Sequence, residues 1–136
     1  MTEFREKWPE MRMKHLELIQ NALSRMGANS TNLKGYCITV VGAVIALSAA
    51  VQMPKILIYS LPLVIGMSVL DSTYLALEKG FRKKFNDVRT AKLDSEPDFE
   101  INPSYGSFIE SYFSWSVIGF YGSTMLVIFI LFIAME

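Results

Sequence analysis

His15 is the only histidine of the chain and Cys37 its only cysteine, so an internal disulfide and a Cys/His metal set are both out of reach. No HExxH, CxxC, GxSxG or phosphate-loop pattern occurs. The acidic residues between 94 and 100 match neither a calcium loop nor a paired-carboxylate site. Neither an enzyme nor a metal or cofactor site is therefore expected. His15 falls on a polar helix position and reads as a surface histidine, with pH sensing as the sharper alternative. Asp71 is the residue with most chemical interest, because an ionisable group inside an apolar run is costly and marks either a paired site or an ion pathway. The expectation is a structural pair with headgroups or with a basic partner such as Arg82 or Arg25, ahead of a role in attracting ions.

The elements that hold these residues follow from where the apolar residues lie. Hydrophobic residues make up 51% of the 136 and charged residues only 19%, and the apolar ones gather in three long runs. Residues 36–53 (YCITVVGAVIALSAAVQM) carry no formal charge and as a helix reach about 27 Å, close to the ~30 Å hydrocarbon core. Residues 56–77 (ILIYSLPLVIGMSVLDSTYLAL) form the second run and residues 112–135, ending in MLVIFILFIAM, the third. In lipid only a helix satisfies its own backbone within one segment, so an all-α membrane protein with three transmembrane helices is expected. Pro54 and Lys55 would make an external turn between the first two, and Pro62 would kink the second.

Lysine and arginine set the expected orientation. Arg5, Lys7, Arg12, Lys14, Arg25 and Lys34 precede the first span, and Lys79, Arg82, Lys83, Lys84, Arg89 and Lys92 lie between the second and third. The turn has only Lys55 and the C-terminal end has none. The positive-inside rule then places the N-terminus and the long loop in the cytoplasm of a multi-pass inner-membrane protein. The opening MTEFREKWPEMRMK is charged from the start and is not expected to be a signal peptide. Net charge is zero, which gives no global case for DNA binding.

Residues 1–35 read as a cytoplasmic segment holding an amphipathic helix over 10–26, with Leu16, Ile19, Leu23 and Met26 at helical spacing. It would rest on the lipid interface, on its own loop helix, or on a copy of itself. Gly27 and Asn29 would end or break it before the membrane. Residues 78–111 would hold a helical extension of the second span, with its stripe Tyr74, Leu77, Phe81, Phe85 and Val88 weakened at Gly80. A solvated acidic loop would follow, before Phe108–Tyr112 leads back to the membrane.

Two stripes of small residues would let helices approach closely: Thr39, Gly42, Ala43, Ala46, Ala49 and Ala50 in the first span, and Ser116, Gly119, Gly122 and Ser123 in the third. Packing is the default use of both. Three spans give a monomer little interior, so a homo-oligomer such as a tetramer is the extension. In it, Ser111, Ser114 and Ser116 would wet a central opening, and the apolar end of the third span would gate it by dewetting.

Two stretches carry a resemblance to a family. They are KHLELIQNALSRMGANSTNLKGY (14–36) and LDSTYLALEKGFRKKFNDV (70–88), about a third of the chain. Their pattern of KHLE-x-IQ, RM-x-x-NS, a KGW or KGY, and LD-x-x-YL-x-x-E-x-x-FR-x-x-(Y/F)-x-DV resembles small bacterial inner-membrane proteins that act as channel effectors of anti-phage defence, paired with a nucleotidyltransferase-like enzyme as in Hailong-type systems. Gly80 and the tyrosine of KGY depart from the bulkier residues expected there. The resemblance implies a homo-oligomeric ion channel that collapses the membrane potential under a nucleotide signal. It also implies a cytoplasmic ligand site, for which Lys14, His15, Arg25, Arg82, Lys83 and Lys84 offer cations and Asn21 and Asn29 offer amides. The same cations are what topology alone demands. A non-conducting membrane adaptor that recruits a cytoplasmic partner is the competing expectation.

Overall fold

The computed structural model describes residues 6–92, 99–103 and 106–136, and every regular element in them is helical. The first helix, α1, runs from Trp8–Val51 without a break. At 1.5 Å per residue its 44 residues make a rod about 66 Å long, so the expected N-terminal helix and first span are one element. Gly27 and Asn29 do not interrupt it, contrary to the sequence expectation. A glycine inside a helix costs only ~1 kcal/mol relative to alanine, and packing against a neighbouring helix on both sides of it offsets that.

The rod ends at Gln52, a non-glycine residue in the left-handed region at φ 54°. The amide of Met53 donates to the Ser48 carbonyl at 3.1 Å, and Ser48 Oγ donates back to the Met53 carbonyl at 3.0 Å. These bonds occupy carbonyls that the helix end would otherwise leave bare.

The chain then makes a short helix, α2 (Lys55–Ile58), steps sideways at Tyr59 and Ser60, and continues as α3 (Leu61–Thr90). The second span is thus broken before Pro62 and not kinked at it. Pro62 occupies the first turn of α3, where its missing N–H would have had no helical partner in any case. Ser60 Oγ donates to the Leu57 carbonyl at 2.7 Å and so helps satisfy the step. From there α3 is continuous through Asp71 and Gly80 to the charged end of the bundle.

A five-residue helix, α4 (Phe108–Tyr112), is capped by Ser107, whose hydroxyl accepts from the Glu110 amide. After a break at Phe113 and Ser114, α5 (Trp115–Met135) completes the chain. Three helical stretches, in Trp8–Val51, Lys55–Thr90 and Trp115–Met135, are long and apolar enough to cross a membrane.

The main packing is α1 against α3, joined head to tail by the α2 turn, while α5 leans on α3 and α2. The apolar core is thin. Cys37 and Val41 of α1 meet Leu57, Val64, Val117, Tyr121 and Ile128. Gly106 fits against α3 so closely that a Cβ there would stand 3.0 Å from the Ala76 carbonyl oxygen. Only 17% of the apolar windows of α1 and α5 is buried within the chain, so most of their surface faces outward.

Candidate functional site

The strongest polar feature lies inside the bundle, where α3 buries a row of small and charged side chains. Ser68, Asp71 and Ser72 are buried, as is Ser60 one step earlier. Ser68 and Ser72 return their hydroxyl hydrogens to carbonyls of their own helix, at 2.7 and 2.6 Å, which neutralises them in apolar surroundings. Asp71 has no such local outlet. Its Oδ1 accepts from Ser30 Oγ, and Lys34 Nζ lies 2.8 Å from its Oδ2. Lys34 Nζ also donates to Ser30 Oγ at 3.0 Å, so three residues close a triangle across two helices.

The Lys34–Oδ2 contact is an ion pair at 2.8 Å, and Oδ2 closes no hydrogen bond. The buried Tyr121 hydroxyl of α5 faces the same carboxylate and likewise lacks a closed bond. Asp71, Lys34 and Ser30 therefore form a knot between α1 and α3, with the unpartnered Tyr121 hydroxyl of α5 buried beside it.

The knot corrects the expected partner of Asp71. Arg82 is taken by Glu78 at 2.6 Å, one helical turn away, and Arg25 is exposed. Lys34 is chosen because it stands on the face of α1 that meets Asp71. A lone charge in hydrocarbon costs roughly 2.5–3.5 kcal/mol, so each of the two offsets the other's penalty. The sequence held one usable signal: Ser30, Lys34 and Asp71 all lie in the two stretches that carry the family resemblance.

The six cations offered for a ligand are not brought to one place. Lys14 pairs with Glu17 at 2.8 Å on an exposed face. His15 is buried, not on the surface as expected: its Nε2 is 3.3 Å from the Glu100 carbonyl and its ring is tilted against Phe99. A chain segment covers it there, which no helical pattern within 10–26 could foretell. Lys84 reaches Glu100 at 3.8 Å, and Lys83 is exposed like Arg25. Nearby, Arg12 donates to the carbonyls of Ala91 (2.8 Å) and Lys92 (2.7 Å), clasping the end of α3. Sequence reasoning missed this clasp, since Arg12 looked like one more topogenic cation.

Arg82 does border a groove of about 540 Å³ between α1 and α3, together with Gln20, Ser24, Gly27, Glu78 and Phe85. Of the residues named for a pore, Ser111 is buried within the chain and Ser114 caps the start of α5. Gly119 is half-covered by the Trp115 ring, while Ser116, Gly122 and Ser123 lie on uncovered surface. Thr39, Gly42, Ala43, Ala46, Ala49 and Ala50 of α1 are uncovered as well.

No protein-family description, curated protein or solved structure matches this chain.

Proposed function

We propose that this chain is the subunit of a gated homo-oligomeric ion channel, such as a tetramer, in a bacterial inner membrane, with its N-terminus in the cytoplasm. Its opening depolarises the cell as an effector of anti-phage defence, and a nucleotide signal from a partner enzyme controls it. The observation that supports this reading most is the uncovered face of α5. Ser116, Gly122 and Ser123 lie exposed on a helix whose other exposed residues, Ala134 apart, are large and apolar, Leu126, Val127, Phe129, Ile130 and Ile133 among them. Lipid gains little from such a small, weakly polar face, whereas close helix contacts or a narrow wet axis use it well. The apolar end of α5 supplies the constriction.

The reading puts Asp71 outside the conduction path, since the subunit itself buries it. Asp71 acts by holding α1 to α3. A non-conducting adaptor draws its support from the N-terminal part of α1, where Met13 and Leu18 are exposed and suited to a partner.

A potential-sensitive dye in expressing cells tests the channel, with Gly122→Leu as the variant. No atom other than the glycine's own helix stands within 4 Å of a Cβ there, so leucine fits the isolated subunit. Phage or nucleotide challenge depolarises cells carrying the natural chain, and Gly122→Leu abolishes both depolarisation and the detergent-stable ring. Full potential retained by the natural chain under every such challenge excludes the channel and favours the adaptor.

A further inference from the structure

We propose that the notch between α3, α4 and α5 receives the phenol ring of Tyr36 from a second copy of this chain. The inference rests on the homo-oligomer proposed above and names a contact that builds it. It does not rest on the assembly conducting ions.

The notch has the size and the chemistry of a socket for an aromatic ring. Ser68, Tyr112, Val117, Tyr121 and Met125 line a space of about 150 Å³, and an apolar cavity of about that volume takes up a benzene ring. Ser68 bonds a carbonyl of its own helix, which leaves the walls largely apolar. Tyr121 is the exception: the residue is buried, and its hydroxyl closes no hydrogen bond. A buried hydroxyl without a partner is costly, so this one calls for a group from outside the subunit. Gly122 borders the notch, and beyond its own helix nothing stands within 4 Å of a Cβ there, so the mouth is open.

Depth selects the occupant. Copies inserted in one orientation, and arranged about an axis along the membrane normal, keep every residue at its own depth. Cys37 and Tyr121 pack in one core cluster, so Tyr36 lies within one helical step of the level of the notch. Tyr36 turns away from that core: it is 61% exposed, and no hydrogen bond to its hydroxyl is present among the described residues. In the proposed topology α1 and α5 both enter from the cytoplasmic side, so both tyrosines lean the same way and their hydroxyls stay level. Tyr121 lies six residues past the exposed Trp115, about 9 Å deeper along α5. A phenol facing lipid at that depth leaves its hydroxyl in hydrocarbon. Thr39, Ala43 and Ala50 continue the face of Tyr36 at helical spacing, exposed and small, which lets a neighbouring helix come close. The contact joins unlike faces, as a closed head-to-tail assembly requires. Ser116 and Ser123 lie roughly 100–120° round α5 from Gly122, so filling the notch leaves them uncovered.

The test uses the full chain in membrane vesicles, with Tyr36 replaced by para-azidophenylalanine, whose ring is of similar size. Light is expected to link two chains, with the modified peptide lying within 112–125. The same probe at Ile38, equally exposed and about 200° round α1, does not give this link. Native mass spectrometry in detergent follows the assembly itself. Tyr36→Ala is expected to raise the chain concentration at half-dissociation by roughly tenfold or more, the scale of a lost aromatic anchor. Tyr36→Phe and Tyr121→Phe each take part of that loss, and the double variant loses no more than either alone. That lack of additivity is a readout that misfolding does not produce.

Adducts with lipid alone, or within a single chain, overturn the proposal, as does a Tyr36→Ala assembly of unchanged stability. An intact assembly whose links fall outside 112–125 defeats this contact and leaves the homo-oligomer standing. A natural chain that is monomeric at every concentration defeats the homo-oligomer as well.

Discussion

The ammonium of Lys34 stands 2.8 Å from Oδ2 of Asp71, and this pair holds α1 to α3 inside the apolar part of the bundle. Asp71 is fully buried and Lys34 largely so. Ser30 completes the arrangement by donating to the other carboxylate oxygen and accepting from the same ammonium. A charge pair in this setting matters less for its net attraction than for the penalty of separating it, because either partner alone is a stranded ion.

Removing one partner is therefore expected to be worse than removing both. Asp71→Leu destabilises by about 3–5 kcal/mol, as does Lys34→Met, and the double variant recovers part of that loss. Unfolding by a rising fraction of sodium dodecyl sulfate in mixed micelles gives the four stabilities of the cycle. A coupling of about 1 kcal/mol or more is expected, and strictly additive losses would refute the pairing.

Arg12 clasps the two carbonyls that follow α3, those of Ala91 and Lys92, through two charge-assisted hydrogen bonds. Each such bond is worth ~1.5–3 kcal/mol, and no other side chain is placed to replace them in Arg12→Ala. Amide exchange over residues 86–92 is expected to accelerate by roughly tenfold or more, with the membrane segments unaffected. Arg12→Lys recovers only part of the protection, since a single ammonium lacks the guanidinium's fork. Unchanged exchange in Arg12→Ala would remove the clasp from the account of this end.

Pro62 starts a helix here instead of bending one. Pro62→Ala is expected to alter stability by less than about 1 kcal/mol, because no carbonyl waits for the restored amide. Gln52 carries the opposite expectation. Its left-handed backbone strains a side-chain-bearing residue, so Gln52→Gly is expected to stabilise the turn by roughly 1 kcal/mol. Thermal unfolding in detergent reads both. A large loss in Pro62→Ala, or any loss in Gln52→Gly, contradicts this description of the hairpin.

The three spans were legible because transfer into hydrocarbon is a sum over residues in one segment. A run such as 112–135 declares itself whatever else the chain does. Helix ends were less legible, since Gly27 and Pro62 are ambiguous as local signals. The first was overridden by packing along a continuous rod, and the second marked a beginning that pattern alone reads as a kink.

What only the tertiary structure decided was which side chains share a place. The register of α1 against α3 selected Lys34 for Asp71 over Arg25 or Arg82, and a helical step of 100° per residue makes neighbouring choices face elsewhere. The same register buried His15 beneath Phe99 and Glu100, brought Arg12 to the end of α3, and left Glu78 and Arg82 beside an open groove. Hydrophobic transfer is non-directional and additive, so one strand of letters carries it. Ion pairs and hydrogen bonds act over a few ångströms between distant positions, and only the folded chain shows which of them meet.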